Sequence, residues 1–287
     1  MRLGVGGMLP PDPRDITEQH LGAIGDLRLT GIGCHVNAAT LDALSTAECV
    51  KLKCLLRDVD MDLAQFAVSY SECLFDPDAV VRDRVVKLIG QGLEVGGALD
   101  AHFVLIRPGS LNPDGSYAPD PANHTPEARE RLIDTLGRVA ARAESEGVTI
   151  VIETHLLTIM DSPESNRDIL AAVGSDRLTV VMDYVNHFQT MHQVFNSTDR
   201  LNHIYDIMGP ISGVGHCKDM VVDSGLTLHL NERMPGQGQL DMVTALSRWH
   251  QQFPEGYMLL EHLANEQYPE AAANVHTILD EAGILVH

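Results

Sequence analysis

The chain has 287 residues, and its hydrophobic content of 44% is enough for a large core, which excludes a disordered protein. Its 40 acidic and 20 basic residues give a formal net charge of −20, which argues against nucleic acid or an anionic membrane as a partner. No apolar run approaches the length of about 18 residues that marks a membrane-spanning helix, and the N-terminus lacks the pattern of a signal peptide.

Eight apolar, β-type runs alternate with stretches of helical periodicity along the chain. The predicted strands are 2–6, 31–36, 63–68, 102–106, 148–152, 178–182, 211–216 and 257–260. The predicted helices are 15–28, 45–58, 78–99, 125–146, 165–174, 199–208, 239–250 and 269–282. Eight strand–helix units predict a parallel sheet that closes into a single (β/α)8 TIM barrel of the α/β class, with one domain over residues 1–287.

A long loop rich in Pro, Gly, Asn and Asp occupies residues 107–125, directly after the fourth predicted strand. Loops of this length in compact domains often have a function. Because the carboxyl ends of the strands form the catalytic face of such a barrel, we expect this loop to cover the substrate. The alternative is a surface excursion without a role.

Four strings, VIETH, VMDYVNHF, GVGHCKDM and MLLEHL, each run from an apolar stretch to a side chain that can bind a metal. These side chains are Glu153, Asp183, His216 and Glu261. The gaps of 30, 33 and 45 residues correspond to about one strand–helix unit each. Because the ends of successive strands converge at the mouth of the barrel, the four are expected to meet there. Two Glu, one Asp and one His suit Mn, Mg, Co or Zn rather than a metal that prefers thiolates, so the sequence predicts a metal-dependent enzyme.

The four strings, in this order, resemble the sugar phosphate isomerase/epimerase group of xylose isomerase-like barrels, also called AP endonuclease family 2. The resemblance extends over most of the chain and includes LGVGG at 3–7, ALDAHFVLIRPG at 98–109, PGQGQLD at 235–241 and LLEHL at 259–263. In the ketose 3-epimerases of this group, the matching Glu, Asp, His and Glu hold one divalent metal, and the two Glu act as acid and base.

The resemblance therefore implies specific roles for the four side chains. The expected ligands of one divalent ion, Mn before Mg, Co or Zn, are Glu153, Asp183, His216 and Glu261. Glu153 and Glu261 are also the expected catalytic residues. The same resemblance implies a dimer or a tetramer of identical chains.

Two positions depart from the pattern of the group. Many relatives have a substrate-binding His three residues after the Asp, and this chain has Asn186 there, which we interpret as a polar substrate contact. An Arg that precedes a PGxG turn is also typical, and Arg233 does so here, but it lies 17 residues after His216 and implies a longer loop. Arg233 is expected either to bind the substrate or to form a surface salt bridge.

Three more residues are candidates for binding the substrate. His155 lies two residues after Glu153, and it either contacts the substrate or supports the site from behind. Lys218 shares the strand parity of His216, so that it either reaches a substrate oxygen or pairs with Asp219 or another acid. Arg107 follows the fourth strand, and it either points into the pocket or anchors the long loop.

These residues allow several reactions. A divalent ion can clamp adjacent carbonyl and hydroxyl oxygens of a sugar, while one Glu removes a neighbouring proton and the other returns it, which gives epimerisation or isomerisation. With a leaving group in the β position, the same site would act as a lyase or dehydratase on a keto-sugar, an inosose or a 3-keto-glycoside. Further alternatives are a non-catalytic sugar-binding barrel and an AP endonuclease, which the negative charge disfavours.

Cysteine usage bears on the compartment. The five cysteines are odd in number and contain no Cys-x-x-Cys pair. Reduced thiols in a cytoplasmic protein are the expected state. The leading hypothesis is therefore a cytoplasmic, metal-dependent isomerase or epimerase of a small carbohydrate.

Overall fold

The computed structural model of the protein describes residues 1–287 and contains a closed barrel of eight parallel strands. The barrel strands are β1 (Arg2–Val5), β2 (Gly31–Asn37), β3 (Asp62–Ser69), β4 (Phe103–Ile106), β5 (Ile150–Ile152), β6 (Leu178–Met182), β7 (Ser212–Cys217) and β10 (Tyr257–Leu260). They neighbour one another in chain order, and β10 pairs with β1 to close the barrel. The predicted (β/α)8 barrel is confirmed.

Helices surround the barrel in the predicted positions. They are α1 (Glu18–Gly25), α2 (Ala38–Ala43), α3 (Thr46–Asp58), α4 (Ala79–Ala98), α5 (Pro126–Glu146), α6 (Pro163–Val173), α7 (Met191–Phe195), α8 (Ser197–Met208), α9 (Met242–Gln252) and α10 (Tyr268–Glu281). The short helices α2 and α7, of six and five residues, were not predicted, because neither is long enough to show a helical period. No helix combines the length and the apolar character needed to cross a bilayer.

One element of the fold contradicts the sequence prediction. Residues 219–233 form an antiparallel hairpin of β8 (Asp219–Asp223) and β9 (His229–Arg233), where the sequence predicted only a long loop. Strand β9 alternates between exposed and partly exposed residues and buries none of them, so it lacks the apolar face by which strands are recognised in a sequence. The hairpin stands between β7 and α9, at the face formed by the carboxyl ends of the barrel strands.

The barrel interior is filled by a small apolar cluster that is separate from the larger core of 68 buried residues. Eight buried side chains form this cluster: Ala64, Ala67, Leu105, Val151, Val181, Val214, Tyr257 and Leu259. Because alternate residues of a strand face the same side, the residues that stand two positions later also point inward. This alternation positions the candidate site directly above the cluster.

Candidate metal centre at the mouth of the barrel

Four side chains converge at the carboxyl ends of the strands, as the sequence predicted. Each stands two residues after a member of the interior cluster, in the pairs Val151–Glu153, Val181–Asp183, Val214–His216 and Leu259–Glu261. One potential ligand atom from each of the four lies within 4.8 Å of the others, and all four residues are buried. The barrel thus brings three carboxylates and one imidazole together from positions that span 109 residues of sequence.

Several polar atoms in this cluster are buried and have no partner with hydrogen-bond geometry, although short ion-pair distances join some of them. They are Asp183 Oδ1 and Oδ2, His216 Nδ1, Lys218 Nζ and Glu261 Oε1. His216 Nδ1 does lie 2.9 Å from Glu261 Oε1 and 3.5 Å from Asp183 Oδ2, but these contacts lack hydrogen-bond geometry. Buried polar atoms are almost always satisfied in folded proteins. An oxygen-rich set with one imidazole nitrogen fits a hard or borderline divalent cation, so the residues present match the expected metal.

Lys218 is the fifth charged member of the cluster. Its ammonium is 2.6 Å from Asp183 Oδ2 and 2.7 Å from Glu261 Oε1, and its side chain is 1% exposed. Burial alone would lower the pKa of Lys218, but the two carboxylates raise it well above its usual value. When His216 is neutral, as a metal ligand must be, three carboxylates against one ammonium leave two negative charges, which a divalent cation would neutralise.

Gln65 was not identified from the sequence, and it contacts the one imidazole of the cluster. Its side-chain oxygen lies 2.9 Å from His216 Nε2, and its side chain is completely buried. Since an amide oxygen only accepts hydrogen bonds, His216 Nε2 carries the hydrogen and Nδ1 faces the carboxylates. Although burial alone would lower it, the Glu261 and Asp183 carboxylates raise the pKa of His216 to about 10. A cation that binds at Nδ1 therefore displaces a proton.

Comparison with known proteins agrees with this architecture. Residues 26–279 match the family model described as a xylose isomerase-like TIM barrel. The chain belongs to this family. No curated protein sequence matches the chain.

Solved structures with TM-scores near 0.7 share the fold at low sequence identity. The apo form of 3-keto-D-glucoside 4-epimerase from E. coli has 14% identity and a TM-score of 0.71, with 96% of this chain and 99% of that chain covered. D-psicose 3-epimerase from Clostridium cellulolyticum H10, solved with D-tagatose, has 14% identity, a TM-score of 0.71 and complete coverage of both chains. A xylose isomerase-like barrel protein from Mycobacterium smegmatis in complex with magnesium has 15% identity and a TM-score of 0.69, with 94% and 90% covered.

In this xylose isomerase-like barrel, the long loop 107–125 reaches the cluster through a tyrosine that the sequence analysis did not single out. The Tyr117 hydroxyl donates a hydrogen bond of 2.5 Å to Glu153 Oε2. The Tyr117 ring packs against His155 at 5.5 Å between centroids, and the Arg107 guanidinium lies 5.6 Å from the centre of the same ring. Arg107 and His155, two predicted substrate residues, therefore hold the tyrosine that caps Glu153.

The other predicted residues after β5 and β6 lie beside the cluster. Asn186 is buried, and its amide donates to the backbone oxygen of Thr154 at 3.2 Å. Burial lowers the pKa of His155, so its imidazole is neutral near pH 7, and its Nδ1 accepts a hydrogen bond from the Leu157 N–H. Both residues line a cavity of about 530 Å³ that adjoins the cluster. Their position is compatible with substrate contact, which stays a prediction.

Arg233 lies on the hairpin, and its guanidinium pairs with Asp223 of the opposite strand at 2.8 Å. Its side chain is 42% exposed, and its role toward the substrate stays a prediction. The preceding residue lies closer to the cluster: Glu232 Oε2 is 4.0 Å from Lys218 Nζ and 3.1 Å from His262 Nδ1. Glu232 carried no signal in the sequence, since its position depends on the hairpin that was not predicted.

Asp219 has a structural role and is not the partner of Lys218. Its carboxylate accepts hydrogen bonds of 2.8–3.1 Å from four backbone N–H groups, those of Met220, Gly236, Gly238 and Leu240. At Gly238 an added Cβ would lie 2.2 Å from the Asp219 carboxylate, so only glycine permits this approach. Asp219 thus fixes the PGQG turn, while Lys218 pairs with Asp183 and Glu261. A contact of Lys218 with a substrate oxygen stays a prediction.

Proposed function

We propose that this protein is a divalent-metal-dependent isomerase or epimerase of a sugar or keto-sugar. The observation that carries the proposal is the buried group of Glu153, Asp183, His216 and Glu261 at the mouth of the barrel. The names of the similar structures support it, because two are sugar epimerases and one is a complex with magnesium. Manganese as the preferred ion, a cytoplasmic location and a dimer or tetramer stay predictions.

The two glutamates are the proposed acid and base. Glu153 follows β5 and Glu261 follows β10, and two other strands separate β5 from β10 in the barrel, so their carboxylates approach a bound sugar from different directions. One carboxylate removes the proton from the carbon next to the carbonyl, and the other delivers a proton to the opposite face, which inverts that carbon. Return of the proton to the neighbouring carbon instead would isomerise the sugar.

The remaining residues stabilise the charge and position the substrate. When bound by Glu153, Asp183, His216 and Glu261, a divalent cation would supply Lewis-acid stabilisation of negative charge on a substrate oxygen. The buried ammonium of Lys218 adds a second positive charge at the same place. Asn186, His155 and Arg107 are the proposed contacts of the sugar hydroxyls.

The loop 107–125 is the proposed cover of the site. Its Tyr117 hydroxyl holds the Glu153 oxygen that a substrate proton would have to reach, so the loop limits the access of water to that carboxylate. Binding of a sugar would replace this hydrogen bond by contacts to the substrate.

Proton exchange in D2O tests the proposal. The manganese-loaded protein is incubated with ketoses and 3-keto-sugars, and NMR follows the loss of the C–H signal next to the carbonyl. We expect exchange with at least one sugar, its loss in Glu153→Gln and Glu261→Gln, and its retention in Glu164→Gln, an exposed Glu that pairs with His203. Metal content per chain, measured by mass spectrometry, is expected to fall in Asp183→Ala.

Two results would contradict the proposal. A metal-loaded protein that exchanges no proton with any sugar of the panel is not an isomerase or epimerase of this kind. A product whose mass shows the loss of water or of an aglycone would identify a lyase instead.

A further inference from the structure

A cavity of about 530 Å³ adjoins the metal cluster and differs from it in chemistry. Seven of its twelve lining residues are hydrophobic, among them Leu156, Phe188 and Leu228. The five polar lining residues are His155, Asn186, Gln189, His229 and Glu232, and the first two follow Glu153 and Asp183 closely in sequence. The cavity therefore combines polar groups near the site with a set of leucine side chains, Leu156, Leu157, Leu228 and Leu230.

The cavity borders the proposed sugar site. His155 and Asn186 stand two and three residues after Glu153 and Asp183, and Glu232 Oε2 is 4.0 Å from Lys218 Nζ. Three separate segments build the walls: the residues after β5, the turn after β6 and the β8–β9 hairpin. A molecule whose carbonyl lies over the cluster can extend directly between these segments.

The apolar walls are unsuited to a sugar ring that carries hydroxyls at every position. Leucine side chains cannot hydrogen-bond to hydroxyls, so a hydroxyl buried against them would lose its water without a replacement. An apolar group would instead remove both its own surface and that of the walls from water. Leu228, whose side chain is 54% exposed, would be covered by such a group.

Building on the proposed function, we propose that this cavity is a subsite for an apolar substituent of the substrate. The substrate class is then a keto-sugar conjugate, such as a glycoside or ether with an aryl or alkyl group, rather than a free ketose. The sugar lies over the metal cluster, and its substituent lies against Leu156, Leu157 and Leu228. The hairpin thereby selects the substrate without contacting the reacting carbon.

Matched pairs of keto-sugars test this inference. They are 3-keto-D-glucose with its octyl β-glycoside, and D-fructose with its 1-O-benzyl and 6-O-benzyl ethers. The rate of proton exchange in D2O gives kcat/KM for each. We expect the conjugate of at least one pair to exceed its free sugar by about tenfold or more, since even one added methylene in an apolar pocket changes kcat/KM by about 10-fold to 200-fold.

Two leucines of one hairpin provide the variant and its control. Leu228 lines the cavity, whereas Leu226 is fully exposed and does not. We expect Leu228→Asn to lower kcat/KM for the conjugate by about tenfold and to leave the free sugar unchanged. Leu226→Asn is expected to change neither, which separates loss of the subsite from a general effect on the hairpin.

The outcomes distinguish this inference from the proposed function. Proton exchange at equal rates with free sugars and their conjugates would overturn the subsite and leave the proposed function intact. Proton exchange with neither kind of sugar would overturn the subsite and the proposed function together. An equal loss on both members of a pair in Leu228→Asn would also overturn the subsite. A second copy of the chain could cover the cavity instead of a substituent, and sedimentation velocity tests this. If Leu228→Asn converts an oligomer into a monomer, the cavity wall is an interface between copies and the inference is wrong.

Discussion

Gln65 on β3 and His216 on β7 are joined across the barrel by a hydrogen bond of 2.9 Å between Gln65 Oε1 and His216 Nε2. The two strands are diametrically opposite, with three strands between them on either side. The amide oxygen fixes the orientation of the imidazole, so that Nδ1 points at Glu261 and Asp183. Partners of this kind hold a metal ligand in its binding orientation.

Replacement of Gln65 is expected to weaken metal binding. Gln65→Met removes the acceptor but keeps the side-chain length, and we expect the Kd for manganese to rise by about 10-fold to 100-fold. Gln65→Glu retains an acceptor and is expected to stay close to the wild type. Competition with a chelator measures Kd, and 15N NMR of the metal-free protein reports the protonated nitrogen of His216. Exposed Gln251→Met is the control. Wild-type affinity in Gln65→Met would contradict the role of Gln65.

Lys218 is expected to affect turnover more than metal binding. Lys218→Met removes the ammonium that pairs with Asp183 and Glu261, which leaves the carboxylates free for a cation. We expect metal to remain bound and kcat to fall by about 100-fold or more, as for loss of one group that stabilises a developing oxyanion. Metal analysis and proton exchange measure the two effects. Loss of metal equal to that in Asp183→Ala would show that Lys218 maintains the site instead.

Tyr117 is expected to control both the loop and Glu153. Tyr117→Phe removes the hydrogen bond to the Glu153 carboxylate and keeps the ring contacts with His155 and Arg107. We expect unchanged metal content, faster cleavage of residues 107–125 by proteinase K, and a kcat/KM lower by up to about tenfold. This loss corresponds to the one hydrogen bond, about 0.5–1.5 kcal/mol, that the hydroxyl would make to the bound sugar in place of Glu153. A loop as resistant as that of the wild type would show that the ring contacts alone hold it closed.

The alternation of the strands explains why the four candidate ligands were predictable. Glu153, Asp183 and Glu261 each follow directly after a short apolar strand, and His216 shares the inward parity of Val214. Their order and spacing were therefore sufficient to predict both the barrel and the convergence at its mouth.

Residues that contact the four candidate ligands from elsewhere in the chain could not be predicted. Gln65 meets His216 across 151 residues of sequence, and a polar residue within an apolar strand shows its partner only when the opposite strand is known. Tyr117 lies in a loop without periodicity, and Glu232 depends on a hairpin whose outer strand buries no residue. In these cases the tertiary contact, rather than a local pattern, gives the residue its role.

Asp219 is expected to matter for stability rather than for chemistry. Asp219→Ala would leave four backbone N–H groups without their acceptor, and an unsatisfied buried donor costs about 1–3 kcal/mol. We expect the free energy of unfolding to fall by about 3 kcal/mol or more, measured by urea denaturation. Asp223→Ala, which breaks the exposed pair with Arg233, is the control and is expected to cost under about 1 kcal/mol. Equal losses of the free energy of unfolding in Asp219→Ala and Asp223→Ala would contradict the proposed role of Asp219 in fixing the turn.

His187 is expected to make stability depend on pH. It is completely buried between Thr154 and Asn166, and burial lowers its pKa to about 4 from the usual 6.5. Below pH 6.5 the unfolded chain binds a proton at this residue that the folded protein excludes, so its contribution is complete above that pH and is lost as the pH falls toward 4. The loss between pH 7 and pH 5 is about 2 kcal/mol.

Unfolding by urea across this range, in the metal-free protein, isolates the contribution of His187 from those of the other groups. His187→Gln keeps a polar side chain beside Thr154 but cannot take up a proton, so its stability is expected to fall less than that of the wild type, and the two curves converge toward pH 5. His203→Gln, an exposed histidine that pairs with Glu164, is the control and is expected to follow the wild type. Parallel curves for His187→Gln and the wild type would show that His187 takes up its proton in the folded protein as readily as in the unfolded chain.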